Sequence, residues 1–214
     1  MLDFEEIERI IRRIDDDLVR AQYSLAIHKT TRIDKGLYRQ DLFDSLSSKN
    51  SEIILRHIDL ISQQDCALAI FRMMDKSKDS HSFWGLKNLC YPNKETFLER
   101  ARNLYPDPDY ASLANMLVAE TDTRIDAFIS KVSNLNKSQE FKSVMNLRHD
   151  TLGHALKAEK LPRPNIAMIE HCIEVLEEIL ALAYLVFLQT DYRPQAGFQF
   201  AMKDANKFWQ DFID

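Results

Sequence analysis

The chain has 214 residues, 45% hydrophobic and 29% charged, with only 4 Gly and 6 Pro. That is long enough to pack a core and excludes collagen-like, linker-like and low-complexity chains, while scarce Gly leaves helices as the default over tight hairpins and phosphate-cradling loops. Lys and Arg number 28 against 33 Asp and Glu, a net charge of −5 with His neutral, so no global positive field gathers nucleic acid and any such contact must be local.

From about Asp3 to Ile27, apolar residues recur at spacings of three and four through Phe4, Ile7, Ile14, Leu18, Ala21 and Leu25, which predicts a long amphipathic helix. Residues 28–50 hold Gly36 and a Ser-rich SLSSKNS stretch and read as an irregular loop or flap with at most one short helix. Asn50 or Ser51 then caps a second long helix, ending near Asp75, whose expected buried stripe is Ile54, Leu55, Ile58, Ile61, Leu68, Ile70, Phe71 and Met74.

After KSKDSHS a short helix carries Phe83, Trp84, Leu86 and Leu89, and Tyr91-Pro92-Asn93 stops it. A helix over Lys94–Leu104 closes at YPDPDY, where each proline disfavours helical geometry in the residue before it. Tyr110 to about Leu135 is helical in period, and Ser138 opens a helix through Val144, Leu147 and Leu152 that ends before Pro162 and Pro164. Asn165 caps the most apolar helix, Ile166–Leu188, and Gln199–Phe212 forms a last amphipathic piece. The reading is all-α: a bundle of four principal helices with short additional helices, one domain over 1–214 with 191–214 as a C-terminal appendage.

Cys66, Cys90 and Cys172 lack CxxC spacing and read as buried thiols in a reducing compartment. The N-terminus is charged from Asp3 onward, unlike a signal peptide. The longest uncharged run, Ile179–Thr190, is well short of the roughly 20 residues a bilayer demands. A soluble, cytoplasmic protein without a membrane or DNA partner is expected.

The segment Asn146-Leu147-Arg148-His149-Asp150-Thr151-Leu152-Gly153-His154 concentrates a permanent cation, two groups that titrate near neutrality and a carboxylate between apolar anchors. Arg offers a planar fork for phosphate oxygens and His exchanges protons at physiological pH, a combination suited to attack on a phosphodiester. On a regular helix Arg148 and His154 stand about 120° apart with roughly 9 Å of rise, so facing copies in a homodimer would complete one cleft. Asp150 and His154, four apart, set a carboxylate where it orients the imidazole.

Leu147-Arg148-His149-Asp150-Thr151-Leu152-Gly153-His154 resembles the signature of the HEPN superfamily: an Arg, a following polar residue, a short gap and a His on a late helix of a small bundle. Phe71-Arg72-Met73-Met74-Asp75 followed by Ser82-Phe83-Trp84-Gly85-Leu86 is similar to the Arg-x-x-Asp and Ser-x-x-x-Leu pattern of the AbiU-type abortive-infection branch. The resemblance implies a HEPN-like fold and a dimeric, metal-independent ribonuclease in phage defence or a toxin–antitoxin-like stress response. Arg148 and His154 would be its catalytic pair and His149 the polar accessory. It implies no cofactor, RNA as a local ligand and a possible antitoxin or other protein partner. Lys157, Lys160 and Arg163 lie where an RNA backbone could pass, and Arg72 with Asp75, three apart, reads as a structural ion pair. The chain departs from the branch in Arg-His-Asp where many members have Arg-Asn-Lys, and in Leu156 where partner-modified toxins carry Tyr.

Two alternatives stand beside it. One is an HD-type metal-dependent phosphohydrolase, with His149-Asp150 as metal ligands, His81 before them and Asp191 or Asp204 after, although Arg148 would repel the metal. The other is a non-catalytic HEPN-like helical module that binds a partner protein or nucleotide. His28, His57 and His171 read as packing or surface histidines, and Trp84 and Trp209 as core or interface anchors.

Overall fold

A computed structural model describes residues 2–33, 37–45, 51–77, 80–151, 165–192 and 196–213. The fold is all-α apart from one two-residue ladder: α1 (Phe4–Thr31), β1 (Arg32–Ile33), β2 (Leu37–Tyr38), α2 (Gln40–Ser45), α3 (Ser51–Met74), α4 (Phe83–Cys90), α5 (Lys94–Arg102), α6 (Ala111–Lys137), α7 (Gln139–Thr151), α8 (Ile166–Ala183) and α9 (Ala196–Ile213). No helix among the described residues is long and apolar enough to cross a membrane.

Caps fix several boundaries. Asp3 Oδ1 accepts from the backbone N–H groups of Glu5 and Glu6 at 3.0 and 3.1 Å and starts α1. Asn165 Oδ1 accepts from Met168 N–H at 2.9 Å and starts α8. Helix α1 runs four residues past its expected end at Ile27, and within this extension the Thr30 and Thr31 hydroxyls donate to the Ala26 and Ile27 carbonyls at 2.8 and 2.6 Å, which satisfies both buried side chains. The segment expected as a loop therefore opens with helix, then pairs Arg32 with Tyr38 and Ile33 with Leu37 antiparallel before entering α2.

By compactness the chain divides into two units. The first comprises Met1–Asp16, Arg72–Ser138 and Glu174–Pro194. Its core carries a run of edge-to-face phenylalanines: Phe4 to Phe97 at 6.1 Å, Phe97 to Phe187 at 5.2 Å, Phe187 to Phe128 at 5.5 Å and Phe128 to Phe83 at 6.2 Å. Such contacts add attraction between ring edges and faces to the burial of large apolar area. Gly85 is required beneath it, since a Cβ there would lie 2.9 Å from the Ser80 carbonyl oxygen.

The second unit comprises Asp17–Phe71, Gln139–Ile173 and Gln195–Asp214. Residues 191–214, expected as an appendage, contribute α9, whose Ala201 and Ala205 pack with Ala26 while Trp209 packs with Leu42 and Leu55. Helix α3 corrects the expected stripe. Ile54 and Ile61 are 39% and 51% exposed, and the buried positions are Leu55, Asp59, Ser62, Cys66, Ala67, Ala69, Ile70, Met73 and Met74, so Leu55, Ile70 and Met74 of the expected stripe are buried. The helix is apolar on several sides, so periodicity alone does not select its inner face.

Candidate functional site

Helix α7 begins the sequence-predicted site. Phe141, Val144 and Leu147 are buried and anchor it, and its backbone stays helical through Arg148, His149 and Asp150 to Thr151. In helical register, position 149 falls about 200° from Leu147, and positions 148 and 150 fall on opposite flanks. The side chains of Arg148, His149 and Asp150 lie outside the described part of the structure, as do residues His154, Lys157, Lys160 and Arg163 entirely. One turn ahead of Arg148, Ser143 Oγ and Asn146 Nδ2 are buried without a hydrogen-bond partner among the described residues.

A second charged constellation, unread in the sequence, occupies the second unit. The Asp59 carboxylate accepts from His28 Nδ1 through Oδ1 and from the Arg32 guanidinium through Oδ2. His28 and Asp59 are each 3% exposed. Gln63 Nε2 lies 3.5 Å from His28 Nε2, and the Arg32 guanidinium stands 5.3 Å from the centre of the Tyr38 ring. Burial pushes the Asp59 carboxyl up, but the hydrogen bonds and charges of His28 and Arg32 outweigh it and hold the group below the ordinary aspartate range. The same pairing raises Arg32. A carboxylate fixing one imidazole nitrogen is half of an acid–base dyad, yet this imidazole is enclosed by protein; the arrangement clamps α1 to α3 instead of offering a base to a ligand. No spacing rule reveals it, because His28 and Asp59 are 31 residues apart.

In the first unit the Asp15 carboxylate accepts from the phenols of Tyr184 at 3.2 Å and Tyr192 at 2.5 Å, whose rings stack 4.1 Å apart and 10° from parallel. Burial, then the Asp15 charge, pushes the Tyr184 phenol up to about 12; burial and the Asp15 hydrogen bond push Tyr192 up as well. Both phenols stay protonated at neutral pH, so the cluster donates hydrogen bonds and supplies no base.

Tyr184 also opens a π-helical turn, Tyr184–Leu188, into which Arg100 donates at the Phe187 carbonyl, 3.1 Å away. The turn ends at Gln189, held left-handed at φ 56°, with both amide atoms buried and without a partner among the described residues. A non-glycine residue pays roughly 1–2 kcal/mol for that conformation. Gln189→Gly is therefore expected to stabilise the protein by about 1 kcal/mol, read as a melting temperature higher by roughly 2–4 °C. Gln189→Val should lower it.

The remaining sequence candidates take local roles. Asp75 accepts from the Ser77 N–H and hydroxyl at 3.0 and 2.8 Å, and its backbone carbonyl accepts from Ser80 and Ser82. Arg72 lies in the last turn of α3, its carbonyl accepting from Asp75 N–H at 3.4 Å. Ser82 caps α4 by accepting from Gly85 N–H at 3.2 Å. His81 lies between Arg13, 3.2 Å from Nδ1, and Glu6, 3.4 Å from Nε2. Asp204 accepts from the Tyr23 hydroxyl at 2.6 Å, and Asp191 is exposed. Among the described residues no three His, Cys, Asp or Glu side chains converge where a metal ion could sit. Cys66, Cys90 and Cys172 are buried free thiols whose pKa burial raises, which makes them poor nucleophiles.

Comparison with protein-family models, curated proteins and solved structures finds no match to this chain.

Proposed function

We propose that the chain is a metal-independent RNA endonuclease of the HEPN type, working as a homodimer in phage defence or a toxin–antitoxin-like stress response. Arg148 and His154 are its catalytic pair and His149 the polar accessory. The observation that carries the reading is that the motif starts on a packed helix of an all-α chain. Phe141, Val144 and Leu147 hold α7 in place, and Arg148-His149-Asp150 occupies its final helical turn. Ser143 Oγ and Asn146 Nδ2, five and two residues before Arg148 on the same helix, are buried without a hydrogen-bond partner among the described residues and add hydrogen-bonding capacity beside the motif. A surface for the second copy is available on α3, where Ile53, Ile54, Leu60 and Ile61 are 66%, 39%, 43% and 51% exposed.

In this mechanism the RNA 2′-oxygen attacks the adjacent phosphorus and gives up its proton to a histidine. The P–O5′ bond breaks, the 5′-oxygen is reprotonated, and a 2′,3′-cyclic phosphate remains. The Arg148 guanidinium holds the charge that builds on the phosphoryl oxygens. Because that charge peaks in the transition state, its loss falls on kcat.

The test is cleavage of RNA in EDTA. Arg148→Ala and His154→Ala are each expected to lower kcat by roughly 10²–10³-fold with the circular dichroism spectrum unchanged. RNA carrying a single 2′-deoxy substitution at the cleaved position should survive. Cleavage that depends on Mn²⁺ would favour the HD-type phosphohydrolase, and no cleavage with retained partner binding would leave the non-catalytic module.

A further inference from the structure

Trp84, on α4 in the first unit, is faced by two ammonium groups. Lys87 Nζ lies 3.9 Å from the indole ring centre and Lys76 Nζ 4.7 Å from it. Burial lowers the Lys87 pKa first, and repulsion from Lys137, the last residue of α6, and from Lys76 lowers it further. Among the described residues none of these lysines has an ion-pair partner, whereas Lys29, Lys94 and Lys131 pair with Glu170, Asp122 and Glu178. Lys76 and Lys137 are exposed, and Trp84 and Lys87 are half-buried, so the group is open to solvent.

In a chain of net charge −5, two ammonium groups over one ring with no ion-pair partner among the described residues run against the average field of the molecule. The indole face offsets part of their repulsion, since a cation is attracted to the electron-rich face of an aromatic ring. An anion between the ammonium groups would offset the rest. We propose that Lys76 and Lys87 over Trp84 form a phosphate-binding site, which takes the backbone of single-stranded RNA or the phosphates of a free nucleotide. The ring face is already covered by lysines, so the site reads phosphate charge and not base identity. The phosphate chemistry needs neither Arg148 nor His154, and only its RNA source rests on the nuclease reading.

The experiment titrates the full chain with a fluorescein-labelled, 2′-O-methyl RNA 12-mer, which no 2′-hydroxyl chemistry can cleave, and separately with ATP and inorganic phosphate. The double variant Lys76→Glu/Lys87→Glu is expected to weaken RNA binding at least tenfold at low salt. Losing two phosphate contacts should also reduce the slope of log K against log salt by about 1.4. Lys87→Gln alone should lose several-fold, which keeps the test open if the double variant folds poorly. Lys131→Ala, whose charge is paired, should stay within twofold of wild type; an equal loss there would mean net charge binds the RNA and would overturn the site. Competition by ATP or phosphate at similar occupancy identifies a free nucleotide as the source, and binding of the polymer alone identifies the RNA backbone. Wild-type affinity and salt slope in both lysine variants, or no binding of any phosphate probe, overturns the proposal. Arg148→Ala with lost cleavage and retained RNA binding supports the nuclease separately, so either claim can fail without the other.

Discussion

Asp59→Ala is expected to destabilise the protein by about 3 kcal/mol, at the lower edge of what breaking a buried ion pair costs. The carboxylate is 3% exposed and shared by His28 and Arg32, so its removal leaves a donor nitrogen of the enclosed imidazole without an acceptor. The Arg32 side chain is 30% exposed and recovers some hydration, which keeps the figure at the low end. In a melt the loss corresponds to roughly 6–12 °C. Replacing the whole group, His28→Leu with Asp59→Leu and Arg32→Met, should cost less than Asp59→Ala, because no buried charge is then stranded and the half-buried Gln63 amide is the polar group left to rehydrate.

The same carboxylate sets an acid limit. Its folded pKa lies below its unfolded one. The stability it contributes is therefore present above the unfolded value, near pH 4, and is lost as pH falls through the folded value. Denaturation curves taken between pH 2 and 7 should show the wild type losing stability on the acid side more steeply than Asp59→Ala. Parallel curves would mean that Asp59 carries no folding-linked proton.

Trp209→Ala is expected to cost about 3–5 kcal/mol, the range for deleting a buried large aromatic side chain. Trp209 is 1% exposed among Leu42 and Leu55, and its indole N–H donates to the Thr30 hydroxyl at 3.0 Å. That hydroxyl donates onward to the Ala26 carbonyl at 2.8 Å, so α9 is tied through Trp209 to the last turns of α1. Trp209→Phe keeps most of the apolar volume and loses the hydrogen bond, and should cost only about 1 kcal/mol. Urea denaturation separates the two, and limited proteolysis should cut α9 early in Trp209→Ala alone. A variant within 1 kcal/mol of wild type would show that α9 is not part of the folded core.

Most helix positions could be read from the chain. Asp3 and Asn165 carry cap chemistry in their own side chains, and the three-and-four spacing read over residues 3–27 and 110–135 falls within α1 and α6 to within a few residues. Cap and period are local properties, complete within a few residues, which is why sequence suffices for them. The helix under the candidate motif was legible for the same reason, since Leu147 through Asp150 needed only to continue the period begun at Phe141.

Other features depended on partners distant in the chain. The ladder between β1 and β2 was not legible, since two-residue strands hold no alternation to detect. The inner face of α3 could not be chosen from its composition, because Ile54 and Leu55 are equally apolar and it is Leu42 and Trp209, distant in the chain, that Leu55 packs against. The left-handed Gln189 was equally hidden, since it lies at the end of a π turn into which Arg100, 87 residues before Phe187, donates. By itself, then, the sequence determined that this protein is helical and roughly where most of its helices lie, while several of their ends, such as Thr31 and Ala196, did not follow from it. The tertiary structure alone decided which face each helix buries and which cations have no ion-pair partner among the described residues, because burial and charge pairing are settled by neighbours in space.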